Sequence, residues 1–256
     1  MAKVHCFGKI WEQEQLQSDI FSMWIDVPQI AEQAKAGQFV SLFSVNGDTL
    51  LPRPISLCEI DTQNGRIRLV YRVVGSGTRE FSLLKKGDSL KIMGPLGNGF
   101  PLTSEPAIIV GGGIGIPPLI QLAKELSGKV TLVVGYRDSN TFLMEELKTV
   151  ADEVLIATED GSIGTKGNVI HAMNEQKAQG KVVYSCGPIP MLRGVKEWAS
   201  EKGVPAWISM EEKMACGIGA CLACVCSSTE QDDHSKVCNK RICKDGPVFL
   251  AEEIDL

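Results

Sequence analysis

Six of the nine cysteines in this 256-residue chain fall between positions 216 and 243. A secreted disulfide domain spreads its cysteines through a small chain. Here they crowd one end of a large one, which in a reducing compartment reads as a metal or cluster site. The spacing is specific: Cys216, Cys221 and Cys224 form C-x4-C-x2-C, followed at a distance by Cys238 and Cys243. This is the plant-type pattern for a 2Fe-2S cluster, whose two bridged irons need four thiolates, three of which one tight loop can supply. Gly217 and Gly219 let the backbone approach and donate N–H groups to the sulfurs. The fourth thiolate is Cys238 or Cys243. The Asp-Gly-Pro turn after Cys243 presents that residue in a fixed geometry and favours it, leaving Cys226 as a spare thiol packed nearby. Four thiolates also suit zinc, but zinc sites more often use paired C-x2-C knuckles, and the first pair here is spaced by four.

Ahead of this tail the chain changes character near Pro101. Residues 1–100 predict antiparallel β structure. Gly37 to Val45 and Arg66 to Val74 are rich in β-branched and aromatic residues, Asn64-Gly65 is a hairpin signal, and Lys85 to Gly94 reads as a turn feeding a strand. Short strands at this spacing suggest a small barrel, interrupted by one short helix starting near Thr78 and running over Arg79 to Leu84. Residues 101–210 alternate strands with helices. The strands are Ala107 to Val110, Val130 to Tyr136, Glu153 to Thr158, Val182 to Gly187 and Ala206 to Met210. Between them lie helical runs at Pro117 to Leu126, Phe142 to Val150, Val169 to Gln179 and Met191 to Glu201. That alternation implies a doubly wound parallel sheet with helices on both faces. Residues 211–256 have few long apolar runs, so a bound cofactor is expected to organise them. The predicted fold class is therefore multi-domain: an antiparallel β-barrel, an α/β doubly wound parallel-sheet domain and a small cysteine-rich 2Fe-2S domain.

Composition narrows the function. The net charge is -5 and no basic stripe is present, which excludes a nucleic-acid binder of the usual phosphate-neutralising kind. The most apolar stretch, Ala107 to Leu122, is broken by glycines and prolines and falls short of the ~20 apolar residues a span needs, so no membrane partner is expected. The N-terminal MAKVHCFGKIW has no apolar core ahead of a small-residue cleavage site, which predicts a cytoplasmic protein.

Four further motifs carry chemistry. Leu51 to Leu57, LPRPISL, sets an Arg, two prolines and a Ser on a strand edge; Arg53 can pair with a diphosphate and Ser56 can reach a flavin ring edge. Tyr71 to Thr78 ends a strand in a glycine turn and opens a helix, a natural phosphate site. Each alone is as readily an edge strand or a hairpin turn. Together, ahead of a nucleotide domain, they favour flavin. Val110 to Ile120, VGGGIGIPPLI, lies between a strand and a helix, as a dinucleotide loop must. Gly111 and Gly113 fit G-x-G-x-x-G, but Ile116 holds the third glycine position, and Asp138 at the end of the next strand is preceded by Arg137. Finally, Cys186-Gly187-Pro188 sits at a strand's carboxyl end, where open α/β sheets bind ligands, although a buried Cys in a turn is the bland reading. His5, His171 and His234 have no partners at catalytic spacing, Cys6 and Cys58 read as core thiols, and Glu211-Glu212-Lys213 reads as a solvated turn or a partner-facing one.

The order of barrel, R-P-x-S, glycine-turn helix, G-G-G-x-G-x-P and C-G-P resembles the ferredoxin–NADP reductase superfamily. The tail MEEKMACGIGACLACVC with CKDGPVF narrows the resemblance to the electron-transfer subunits of class 1B dihydroorotate dehydrogenases, and it covers essentially the whole chain. The resemblance implies FAD contacts at Arg53, Pro54, Ile55, Ser56, Val70, Tyr71, Arg72, Gly77 and Thr78. It implies cluster ligation by Cys216, Cys221, Cys224 and Cys243. It places NAD on the Gly111 to Pro117 loop, with Gly112, Gly113 and Gly115, and on the Cys186, Gly187, Pro188 turn. The chain departs from plain ferredoxin reductases in carrying Pro-Ile where they have an aromatic within R-x-Y-S, and in having the cysteine tail where they end in an aromatic over the flavin.

In that family an FMN-containing catalytic subunit oxidises dihydroorotate to orotate in de novo pyrimidine (UMP) biosynthesis, and electrons pass through the cluster and FAD to NAD. The resemblance thus implies an oxidoreductase subunit with no orotate chemistry of its own, NADH diaphorase activity alone, and a heterotetramer of two subunits of each kind. NAD over NADP also comes from the family, since Arg137 near the ribose position argues the other way. The rivals are another ferredoxin:NADP or sulfide dehydrogenase subunit and, from a different class, a zinc-binding or redox-sensing module.

Overall fold

The computed structural model describes residues 3–44, 47, 49–231 and 236–256; Val45, the expected end of one strand, and His234 lie outside them. The chain opens with a long hairpin of β1 (Val4–Gln17) and β2 (Ile20–Asp26), followed by a helical turn α1 (Pro28–Ala31) and β3 (Phe39–Leu42). Then come β4 (Arg53–Asp61), β5 (Arg66–Arg72), the short helix α2 (Ser76–Ser82) and β6 (Ser89–Leu96). These six strands close into an antiparallel barrel in the order β1-β2-β5-β4-β3-β6, with β6 returning to β1. The Asn64-Gly65 turn does join two paired strands, and Gly65 adopts φ 67°, a left-handed value that a turn of this kind needs. The β1–β2 hairpin leaves only a weak strand pattern in the sequence. Its outward positions are polar (KIWEQEQLQ), and only alternate residues such as Ile10 enter the core.

All four residues of β3 are buried, because both its faces are covered: Val40 points into the barrel core, while Phe39 joins the core that the cysteine tail helps to form.

The second layer begins with β7 (Ala107–Gly112), a 3-10 turn (Gly113–Gly115) and α3 (Pro118–Glu125). β8 (Val130–Tyr136), α4 (Met144–Val150), β9 (Glu153–Thr158), β10 (Thr165–Lys166) and α5 (Val169–Glu175) follow. β11 (Val182–Cys186), α6 (Ile189–Lys202) and β12 (Ala206–Ser209) complete the alternation. The strands lie in the order β10-β9-β8-β7-β11-β12, all parallel, as their apolar runs require of strands buried on both faces. Ile109, Leu132 and Tyr184 face α3, α4 and the barrel residues Ile20, Cys58 and Val70. Ile108, Val110, Val133 and Val183 face α5 and α6 on the other side. The helix α6 stops at Gly203, which takes the left-handed cap at φ 65°. The expected extension of α5 to Gln179 does not occur; it ends at Glu175, and Lys177 has a positive φ.

The tail corrects one expectation. It does not depend on a cofactor alone for its order. A hairpin of β13 (Val225–Ser227) and β14 (Asn239–Arg241) precedes β15 (Val248–Leu250), which pairs antiparallel with β12 as the seventh strand of the sheet. Ile242, Cys243, Phe249, Ala251 and Ile254 are all buried in the α5–α6 core beside the barrel's Phe39 and Leu96. The tail is thereby wedged between sheet and barrel. Phe249 is 3% exposed and Val225 is 37% exposed. Replacing Phe249 by Ala is expected to cost about 3 kcal/mol, read as an earlier midpoint in chemical denaturation, while Val225→Ala costs less than about 0.5 kcal/mol.

Candidate functional site

Between the barrel and the sheet lies a cavity of about 370 Å³. Its barrel wall is made by β4 and β5, through Arg53, Pro54, Ile55, Ser56, Val70, Tyr71 and Arg72, with Thr78 from α2. Eight of the nine residues assigned to flavin in the sequence thus border one space. The ninth, Gly77, stands behind it: a Cβ there would lie 2.9 Å from Arg53 Nε, so the glycine makes room for the arginine to cross the start of α2. Arg53 Nη1 donates to the Leu51 carbonyl at 2.7 Å. The glycine turn differs in detail from a simple phosphate cradle. Thr78 Oγ1 accepts the backbone N–H groups of Val74 and Gly75, at 2.9 and 3.2 Å, so two of its donors are satisfied within the chain.

The opposite wall comes from residues outside the flavin-assigned set. Met210, Glu211, Glu212 and Met214, on the segment from β12 to the cysteine loop, close the cavity together with Phe39, Val74, Ile114, Pro118 and Pro247. The acidic pair, expected in a solvated or partner-facing turn, therefore borders a ligand-sized space. Its signal was position: two methionines and two carboxylates directly after a strand end in an open α/β sheet. Both carboxylates stay exposed at the edge of that space.

A second cavity, of about 660 Å³, opens at the carboxyl ends of β7, β8, β9 and β11. The strand order reverses between β7 and β11, and such a switch point is where open α/β sheets bind ligands. Gly112, Gly113, Gly115, Gly187 and Pro188 line this cavity; Gly111 and Cys186 do not. Both sit behind its wall. A Cβ on Gly111 would fall 2.9 Å from Ile116 Cγ1, so the isoleucine at the third position of the glycine pattern fills the space above the first. Cys186 is fully buried, and burial, with Glu211 nearby, pushes its thiol far up. Gly115 packs the loop against the Cys-Gly-Pro turn, since a Cβ there would lie 2.4 Å from the Cys186 carbonyl oxygen. Arg137 and Asp138 both stand on the rim, and Asp138 Oδ1 accepts the Asn140 N–H at 2.8 Å. Arg72, Ile114 and Glu211 border both cavities, which are therefore neighbours.

The cysteine loop follows four residues after Glu212. Gly217 and Gly219 hold φ values of 68° and 87°, which let the chain wrap. Cys216 Sγ accepts the backbone N–H groups of Ile218 and Ala220 at 3.4 and 3.3 Å. Desolvation works to raise this thiol, but the Ile218 N–H, the Cys221 side chain and the Ala220 and Cys221 N–H groups outweigh it and hold it at about 6. Cys243 donates its N–H to Cys224 Sγ at 3.4 Å, and burial together with the adjoining Cys224 pushes the Cys243 thiol up to about 12. The four thiols thus stand as two pairs, Cys216 with Cys221 and Cys224 with Cys243. Among the described residues no three His, Cys, Asp or Glu side chains gather around one ion position. A binuclear cluster takes two thiolates per iron, which is what two pairs offer. Cys238 is exposed on the β13–β14 hairpin, where its carbonyl accepts the Ser228 N–H, and Cys226 is half-buried with its thiol against the Lys240 carbonyl. Arg241 ties the parts together, donating to the Gly219 carbonyl at 3.3 Å and to Asp245 Oδ2 at 3.1 Å.

The remaining sequence candidates have structural roles. His171 Nδ1 accepts the Asn168 N–H, while Asn168 Oδ1 accepts the N–H groups of Ile170 and His171 to cap α5. His5 packs against the Phe43 ring, Cys58 is fully buried, and Cys6 is half-buried.

Comparison with known proteins bears on all three parts. The model of the iron-sulfur cluster binding domain of dihydroorotate dehydrogenase B matches residues 211–255, and that of the oxidoreductase NAD-binding domain matches residues 109–197. The dihydroorotate dehydrogenase B (NAD(+)) electron transfer subunit of Listeria monocytogenes serotype 4a is 42% identical over 97% of this chain and 98% of its own length. The chain belongs to the family of dihydroorotate dehydrogenase B electron transfer subunits. The Fusobacterium nucleatum member is 38% identical, with 96% of each chain covered. Among solved structures, a chain from NADH-dependent reduced ferredoxin-NADP oxidoreductase superposes with TM-score 0.85 at 33% identity, covering 97% of this chain and 89% of that one. The ferredoxin reductase of carbazole 1,9a-dioxygenase shares the fold over 80% of this chain, with TM-score 0.66 at 20% identity. Among the described residues no helix is long and apolar enough to cross a membrane.

The contact between the glycine loop and the Cys-Gly-Pro turn has a direct test. Gly115→Ala must displace the Cys186–Gly187 backbone, and it is expected to weaken NADH binding by about tenfold, or ~1.4 kcal/mol, in a titration of the flavin-loaded protein. Unchanged binding would mean that this turn does not shape the nicotinamide site.

Proposed function

We propose that this chain carries electrons between an FMN-containing dihydroorotate dehydrogenase catalytic subunit and NAD+, as a cytoplasmic oxidoreductase subunit of pyrimidine (UMP) biosynthesis in a heterotetramer of two plus two. One observation carries the reading. The cavity bordered by the flavin-assigned residues adjoins the switch-point cavity through Arg72, Ile114 and Glu211, and its far wall runs from Met210 to Met214, two residues before Cys216. Three carriers thereby fit side by side. Bound flavin supplies the exchange between a two-electron hydride and the single electrons that a cluster accepts.

The protein's part is placement. Arg53, next to the α2 turn, offers its guanidinium to a diphosphate, and Ser56 offers a hydroxyl to the ring edge. The Gly112–Gly115 backbone and the Gly187-Pro188 turn receive the dinucleotide at the strand ends. Cys216, Cys221, Cys224 and Cys243 would hold the 2Fe-2S cluster, with the Ile218 and Ala220 N–H groups directed at the Cys216 sulfur. Residues 1–100, 101–210 and 211–256 are read as the units that serve flavin, nicotinamide and cluster. A second reading follows from the likeness to a 33% identical chain of NADH-dependent reduced ferredoxin-NADP oxidoreductase: a subunit of another ferredoxin/NAD(P) oxidoreductase, with a different partner. The partner decides between them: co-expression with a dihydroorotate dehydrogenase catalytic subunit yields dihydroorotate-dependent NAD+ reduction only under the first.

An anaerobic absorption spectrum of the purified chain is expected to show flavin bands with a broad red shoulder, both bleached by NADH. Cys221→Ser is expected to keep the flavin bands and lose the shoulder, with dihydroorotate-to-NAD+ turnover of the complex falling at least about a hundredfold while NADH diaphorase activity persists. A fully cluster-loaded Ser variant would remove Cys221 from the ligand set, and a colourless, zinc-containing protein would overturn the whole reading.

A further inference from the structure

The seam between barrel and sheet holds a charge network that none of the preceding roles uses. Arg68 of β5 is 7% exposed and lies across strand from Glu59 of β4, which is 12% exposed. Its Nη1 donates to Glu59 Oε1 at 2.6 Å and its Nε to Ser22 Oγ of β2 at 2.8 Å, so the guanidinium is anchored in the barrel. The same guanidinium reaches out of the barrel to Glu146 of α4 in a two-pronged pair, with Nη2 3.1 Å from Oε1. Lys124, in the last turn of α3, returns across the seam to Glu59. Two cations and two carboxylates therefore form a neutral chain, Glu146–Arg68–Glu59–Lys124, that crosses the seam twice. A backbone bond runs alongside, from the Ile60 N–H to Gln121 Oε1 at 2.8 Å.

The elements tied here are those that carry the two cavities. Arg68 precedes Val70, Tyr71 and Arg72 on β5, and Glu59 follows Ser56 on β4. Lys124 is on the helix that starts at Pro118, directly after the glycine turn, and Glu146 follows the loop that carries Asn140 and Phe142 to the second cavity. A rotation of the sheet about the seam would change the gap between flavin and nicotinamide before it changed either binding site. An arginine gripping carboxylates on both sides fixes an angle as well as a distance.

We propose that Arg68, Glu59, Lys124 and Glu146 are positioning residues for hydride transfer, holding the barrel and the sheet at the orientation that brings the nicotinamide against the flavin. This rests on the reading of the two cavities given above. The step they govern moves one hydride, two electrons with one proton, from NADH to the flavin, leaving NAD+ and reduced flavin. Such steps are steeply sensitive to small displacements.

The test uses Lys124→Met and Glu146→Gln in the flavin-loaded protein, because these side chains are 44% and 41% exposed and can be replaced with the buried Arg68–Glu59 pair intact. At saturating NADH the rate of flavin reduction is expected to fall about tenfold in each, with flavin content and NADH affinity within about twofold of the parent. The long-wavelength absorption of the nicotinamide–flavin contact is expected to weaken, and the Ile60 amide to exchange faster with deuterium. Lys124→Arg, which keeps the charge, is expected to restore the rate to within about twofold. Faster Ile60 exchange with an unchanged reduction rate would overturn the proposal, since the network would then hold the seam without positioning anything. So would variants unchanged in every readout. A parent protein that NADH does not bleach would overturn the functional reading and this proposal together, a result separable from a bleached parent with unaffected variants.

Discussion

The pairing of β15 with β12 is the contact on which the rest of the arrangement depends. Three backbone-paired positions, Trp207 with Leu250, Ile208 with Phe249 and Ser209 with Val248, bring the end of the chain back onto the sheet after the cysteine loop has been made. A segment of this size has too little apolar surface to stand alone. By adding an edge strand it satisfies its own backbone and shares an existing core. The cysteine loop is then spanned between two fixed points, the end of β12 at Ser209 and the start of β15 at Val248. Its path between them runs along the flavin-assigned cavity and past the barrel at Ser41 and Leu96, where a Cβ on Gly217 would touch both.

From this follows the order of the three sites in space. The loop cannot move away from the barrel without breaking the bonds of Asn98, whose side chain donates to the carbonyls of Lys244 and Asp245 at 3.3 and 2.9 Å and whose N–H donates to Gly246 at 2.7 Å. The turn that presents Cys243 is thus held by the barrel, while the loop that presents Cys216 is held to the same turn by Arg241. Anchoring from both sides is what placing thiolates for a cluster requires, since a carrier that changes charge must not change its surroundings much as it does so.

The sequence made some of this legible and hid the rest, for identifiable reasons. Local motifs were legible: C-x4-C-x2-C, the glycine run between strand and helix, and Arg53 with Ser56 are short patterns of distinctive residue types, and the fold brings the last two to the walls of cavities. The sheet was legible because strands buried on both faces read as continuous apolar runs. The β1–β2 hairpin was hidden by its polar outer face, and β15 by its shortness, since Val248, Phe249 and Leu250 become a strand only through a distant partner. The wall from Met210 to Met214 was hidden for the same reason: Glu211 and Glu212 are exposed, as a solvated turn would be, and only the fold brings β4 and β5 opposite them. Ile116 misled in the other direction. It breaks the glycine pattern, yet it is fully buried and packs over Gly111, so the loop keeps its shape by a different filling of the same space.

The seam raises the question of why charge is used where apolar packing would serve. Apolar contact between barrel and sheet is already present, in Cys58, Val70 and Ile20 against Ile109, Leu119 and Leu132. Such contact is non-directional and leaves two surfaces able to slide with little change in buried area. Ion pairs at this depth contribute little net stability against their desolvation, so stability is a weak reason for them. What they add is direction. Glu59 illustrates the balance: desolvation works to raise its carboxyl, and the bonds from Lys124 and Arg68 more than offset it, leaving it held below the ordinary carboxylate range. Its charge is therefore retained at neutral pH and lost only on acidification through that depressed value, and with it the grip that sets one half of the molecule against the other.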